Sequence, residues 1–159
     1  MKRHPSLQPL SREHHRALLC WRTLDQAIQR NSEIDVHASI EELRRYWNSR
    51  FEAHLHQEEV ALLTRLSPAL RDRMVHEHND LRSLYAQLAS TTWSNESVTK
   101  DGVLRSFAKS LREHIRWEER TVFSYLQAQL TEAELGSVLD ELVAADVNEH
   151  GDTCGPRPG

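Results

Sequence analysis

The strongest constraint on this chain is a pair of ionisable residues repeated inside two apolar helical stripes. His54-Leu55-His56-Gln57-Glu58-Glu59 and His114-Ile115-Arg116-Trp117-Glu118-Glu119 each place a Glu four residues after a His, followed by a second Glu. On an α-helix, residues four apart share a face, with Cβ atoms roughly 5–6 Å apart. A ring nitrogen and a carboxylate oxygen at that separation can address one ion, and two such helices can face each other across a bundle core. The surroundings sharpen the point. One stripe reads Ile40, Leu43, Trp47, Phe51, His54, Glu58, Leu62, Leu66; the other reads Leu104, Phe107, Leu111, His114, Glu118, Val122, Tyr125. Charged groups in the middle of a buried face break the ordinary pattern, and such breaks mark function.

Two more stripes complete a set of four. Ser11 is a plausible N-cap for a helix reaching about Arg30, with a seam of His14, Ala17, Trp21, Leu24 and Ile28. Ser67-Pro68 signals the start of a helix over about 68–90, whose seam is Leu70, Met74, His78, Leu81, Tyr85 and Leu88. The His/Glu stripes predict helices over about 36–66 and 102–129. Glu13-His14 opens the first helical hairpin as Glu77-His78 opens the second, and each hairpin carries one His-x-x-x-Glu on its second helix. The expected fold is therefore all-α, an up-down-up-down four-helix bundle. Thr131 and Glu134 form a capping box for a short fifth helix to about Val147, whose apolar face suits either capping the bundle or pairing with a second copy. Residues 1–10, with two prolines, read as an extended lead-in, 11–147 as the bundle plus helix five, and 148–159 as a disordered tail.

The inward groups are His14, His54, Glu58, His78, His114 and Glu118. Two buried carboxylates are costly unless a cation compensates them. Imidazole with carboxylate suits Fe, Mn or Zn, and the two cysteines, Cys20 and Cys154, match no Cys-rich metal spacing. Six donors exceed a catalytic zinc site, which takes three plus water. They suit two metals, with Glu58 and Glu118 bridging and the histidines at the ends. A lone His on an apolar face is more often a core residue; four helices each contributing one is a different case. His15 competes with His14, but its rotation would put Ser11, Arg22 and Asp25 on the seam. His56 and His76 should point away. Glu59 and Glu119 lie about 100° off the axis of the site, which suits solvent or a hydrogen bond behind the ligands.

Leu10-Ser-Arg-Glu-His-His-Arg-Ala-Leu-Leu19, His54-x-x-x-Glu58-Glu59, Glu77-His78-x-x-Leu81 and His114-Ile-x-x-Glu118-Glu119-x-x-x-Phe123 resemble the hemerythrin-like (HHE cation-binding) domain over about residues 10–130. The resemblance implies a bundle around a non-haem diiron centre that binds or senses O₂, NO or peroxide, or handles iron. Hemerythrins proper carry two histidines four apart on the third helix, and Met74 stands in the first of those places. One ligand fewer opens a coordination position, which favours redox chemistry or sensing over simple oxygen carriage. The rival readings are a diiron peroxidase or NO-handling enzyme, and a structural bundle with zinc or no metal.

A net charge of −4 gives no bulk reason to expect nucleic acid as a partner. No apolar N-terminal segment resembles a secretory signal and no apolar run suffices to span a bilayer, so a cytoplasmic protein, monomer or homodimer, is expected.

Overall fold

The computed structural model describes residues 2–90 and 102–146. After a single 3₁₀ turn, Pro5–Leu7, the first helix α1 runs Gln8–Gln29. α2 is one long helix built of three stretches: Glu33–Tyr46, a π-helical segment Trp47–Phe51, and Glu52–Leu62. α3 spans Pro68–Ser90. α4 repeats the composite form, with Gly102–Trp117, a π-helical segment Glu118–Val122, and Phe123–Gln129. α5 is Glu132–Asp146. Among the described residues there is no strand, and no helix is long and apolar enough to cross a membrane.

Local signals explain the breaks. α1 ends in a Schellman motif: Ser32 N donates to Ala27 O at 3.3 Å and Asn31 N to Ile28 O at 3.0 Å, with Asn31 in the left-handed region at φ 53°. Asn tolerates that conformation because its short polar side chain offsets part of the Cβ penalty. The Ser32 hydroxyl then caps α2 by accepting from Asp35 N. Pro68 opens α3, where its missing N–H costs nothing. Thr131 and Glu134 form the expected capping box, with Thr131 N donating to Glu134 Oε2 at 2.8 Å and Glu134 N to Thr131 Oγ1 at 3.3 Å.

The core has two apolar layers. One holds Trp21, Leu24, Ile40, Trp47, Leu81 and Phe107. The other holds Leu7, Leu10, Leu62, Met74, Phe123 and Leu142. Along α1 and α3 the chain passes from the second layer to the first, and along α2 and α4 it returns, so the four long helices run up-down-up-down. Each fully buried Leu or Phe contributes roughly 1.5–3 kcal/mol, so the two layers supply the main driving force. α5 docks on the end of the bundle: Leu135, Val138 and Leu142 are buried in the second layer, and Arg65 pairs with Glu141 at 2.7 Å. The fifth helix caps the bundle.

The lead-in differs from expectation. Residues 5–7 are helical, α1 begins at Gln8 with Pro9 in its first turn, and Leu7 and Leu10 are buried against α5 and the ends of α2 and α4. A proline in the first turn starts a helix rather than stopping one, because its fixed φ already suits the helix. Ser11 consequently lies inside α1 and is not its cap. The polar break at 91–101 and the tail at 148–159 lie outside the described residues.

Candidate metal centre

Between the apolar layers lies a polar one. His14 from α1, His54 and Glu58 from α2, His78 from α3, and His114 and Glu118 from α4 are each no more than 2% exposed. The two carboxylates occupy the middle. His14 Nε2 lies 3.3 Å from Glu58 Oε1 and 3.0 Å from Glu118 Oε2. His54 Nε2 is 3.3 Å from Glu58 Oε1, and His114 Nε2 is 3.3 Å from Glu118 Oε2. His78 Nε2 sits 3.5 Å from Glu58 Oε2 and 3.7 Å from Glu118 Oε1. The imidazoles come in two pairs: His14 with His54, and His78 with His114, each 4.9 Å between ring centres.

All four inward nitrogens and all four carboxylate oxygens are buried without a hydrogen-bond partner of sound geometry. Orphaned polar atoms at such density are rare in native cores and call for an explanation. A cation supplies one. The donor atoms form two groups, His14 with His54 and Glu58, and Glu58 with His78, His114 and Glu118, each compact enough to hold an ion and joined through Glu58. The residues fit a metal by donor type, burial and convergence.

Behind the histidines stands a second ring of charge. His14 Nδ1 meets Glu119 Oε1, His78 Nδ1 meets Glu59 Oε1, and His114 Nδ1 meets Glu77 Oε2, each at 2.9 Å. Each carboxylate is itself held by an arginine: Glu119 by Arg3 at 2.7 Å, Glu59 by Arg82 at 2.7 Å, and Glu77 by Arg73 at 2.7 Å. A carboxylate on the outer nitrogen fixes the tautomer, leaves the inner nitrogen's lone pair facing the centre, and strengthens it as a donor.

The electrostatics follow from burial opposed by partners. Burial disfavours charge on Glu58, yet His54, His14 and His78 override it and hold the carboxyl well below the usual range. Burial and Glu58 both push Glu118 up, but His114, His14 and His78 bring it down to about 2. Burial opposes a proton on His14, and Glu118, Glu119 and Glu58 reverse that, placing it well above an ordinary imidazole. His78 is raised to about 11 against burial by Glu118, Glu58 and Glu59. His54 is the exception, held down to about 4 by burial with His14 adding to it. Without a cation, two imidazoles therefore carry the positive charge that the carboxylates require.

The structure brings together all six residues singled out in the sequence. His15, His56 and His76 point outward and are exposed, so α1 presents His14 and not its neighbour. Glu59 and Glu119 stand behind the histidines, one of the two places expected for them. Met74, one turn before His78, is 0% exposed and packs in the apolar layer with Leu62 and Trp117. Sequence reasoning missed Glu77 as the partner of His114, and the three arginines. Its signal was present, since Glu77 precedes His78 as Glu13 precedes His14.

A family model described as the hemerythrin HHE cation binding domain matches residues 6–126. No curated protein and no solved structure shows a significant match to the chain.

Proposed function

Because the chain belongs to the hemerythrin HHE cation-binding family, we propose that its buried His/Glu layer holds two non-haem irons and presents them to a small ligand: O₂, NO or peroxide. The observation that carries this reading is the set of eight inward donor atoms, buried and without a hydrogen-bond partner of sound geometry, in two groups that share Glu58. In this reading Glu58 and Glu118 would be shared between the irons, and His14, His54, His78 and His114 would complete the two ligand sets. Such a pair of irons supplies reversible binding or one-electron chemistry toward these small molecules. The chain's own part is to orient, insulate and leave room. Glu119, Glu59 and Glu77 fix three of the rings, and the flanking Phe51, Leu81, Leu111 and Phe123 exclude water. With apolar Met74 one turn before His78, the His78 side would offer one donor fewer, leaving room for an incoming molecule.

Anaerobic Fe(II) reconstitution tests this. Two irons per chain are expected, with an absorption change on admitting air or NO, and both lost in Glu58→Ala and Glu118→Ala. Protein that takes up no iron and shows no ligand-to-metal band refutes the reading. Met74 supports a second version, in which the centre turns over peroxide or NO as an enzyme. Consumption beyond one equivalent per site selects it, and a stable one-to-one adduct selects sensing or carriage. Zinc bound in place of iron, with no response to either gas, selects the structural reading.

A further inference from the structure

The ring of carboxylates behind the histidines is incomplete. The two hairpins correspond residue for residue around the centre: Glu119 on His14 mirrors Glu59 on His78, and Glu77 on His114 calls for Glu13 on His54. That fourth contact is not made. Glu13 is drawn instead onto Arg16, onto Arg50 at 2.9 Å and onto the Tyr46 hydroxyl at 3.1 Å. The corresponding places in the second hairpin are Asp80, Ser110 and Ser106, which leave Glu77 available to His114. His54 Nδ1 is left buried with no hydrogen-bond partner, on a ring that is 1% exposed.

Beside it lies a cavity of about 350 Å³, walled by His54, Arg12, Glu13, Arg16, Arg50 and, from α5, Leu142. His54 turns Nε2 toward Glu58, so Nδ1 lies on the side of the ring away from the centre. Three guanidinium groups and one carboxylate give the cavity an excess of positive charge. Guanidinium groups favour planar carboxylates, which they can grip with two parallel N–H donors.

We propose that this cavity binds a small organic carboxylate, which accepts a hydrogen bond from His54 Nδ1–H and stands where Glu13 would complete the ring. The inference rests on the metal reading above, since an ion on Nε2 keeps the imidazole proton on Nδ1. The bound anion orients His54 as Glu77 orients His114, and makes one of the two metal positions responsive to a metabolite.

The test uses full-length protein loaded with zinc, which is diamagnetic, and labelled with ¹⁵N-histidine. Acetate and its neutral isostere acetamide are titrated at constant ionic strength, with zinc content measured on the same samples. Acetate is expected to shift the His54 Nδ1 resonance saturably, and acetamide to need at least about tenfold more, as for loss of one charge-assisted hydrogen bond. Arg12→Gln, outside the proposed ligand set, should weaken acetate by about tenfold with zinc content unchanged. Ala53 of α2 also lines the cavity, and Ala53→Phe, which fills it, should abolish the shift. Equal responses to acetate and acetamide, or a response that survives both substitutions, overturn the inference. Zinc uptake with no acetate response overturns it alone, whereas failure to take up any metal overturns the metal reading and this inference with it.

Discussion

Loading the centre should expel two protons from the protein. In the metal-free state the charge on Glu58 and Glu118 is balanced by protons on His14 and His78, both raised far above an ordinary imidazole, while His54, held near 4, carries none at neutral pH. A metal on the inner nitrogens must displace both protons. Each one displaced makes the apparent association constant rise tenfold per pH unit, so two give about 100-fold, or about 2.7 kcal/mol per unit. The trend should extend upward from neutrality, because His78 does not release its proton unaided until about pH 11. Calorimetric titration of anaerobic Fe(II) at pH 7, in buffers of differing ionisation enthalpy, reads the proton number as a slope. Glu119 raises His14 and Glu59 raises His78 from outside the proposed ligand set, so Glu119→Gln and Glu59→Gln should each lower the slope below two. A slope of zero in the unmodified protein, or an affinity flat between pH 6.5 and 8, would refute the reasoning.

Three other outcomes are expected. Metal-free protein should lose stability in alkali: His14 and His78 bind protons more tightly folded than unfolded, so their contribution is complete below about pH 6.5 and falls by up to about 1.4 kcal/mol per group per pH unit as pH rises toward the folded values. Melting curves from pH 7 to 10 check this, and bound metal should flatten the trend. Glu59→Gln removes the carboxylate on His78 Nδ1 and should weaken metal binding about 10–100-fold with helix content unchanged, as measured by chelator competition. Met74→Ala empties a fully buried site among Leu62 and Trp117, and should cost about 2–5 kcal/mol in urea denaturation of the metal-free protein.

The long helices and the six inward residues were legible because both follow from one periodicity. Once His54 and Glu58 fall on the seam of Trp47, Phe51 and Leu62, burial is forced, and burial of carboxylates forces compensation. The start of α1 was legible in the same terms and was misjudged. Leu7, Leu10, His14, Ala17 and Trp21 continue one 3-4 spacing, but two prolines so close together read as an extended segment, whereas Pro5 and Pro9 each open a helical turn. Arg73 sits one turn before Glu77 and lay within reach of the helical spacing, whereas Arg3 and Arg82 escaped for a different reason. Arg3 reaches Glu119 across more than a hundred positions of sequence, and no local pattern encodes a contact made only when α1 and α4 lie side by side. The docking of α5 was undecidable for the same cause: an apolar face does not name its partner. The diversion of Glu13 needed three residues from two helices to meet, although the repeat itself was visible.

The π-helical segments in α2 and α4 set the rotational phase of everything downstream. The α2 stripe from Ile40 to Leu62 advances about 3.7 residues per step, slightly more than the 3.6 of an α-helix, and the wider turn at Trp47–Phe51 absorbs the difference. Removing Ser49 from that segment would leave every hydrophobic side chain in the chain available, yet swing His54 and Glu58 by about 100° relative to Ile40 and Leu43. Such a deletion mutant would have to choose between a packed distal half and an assembled centre.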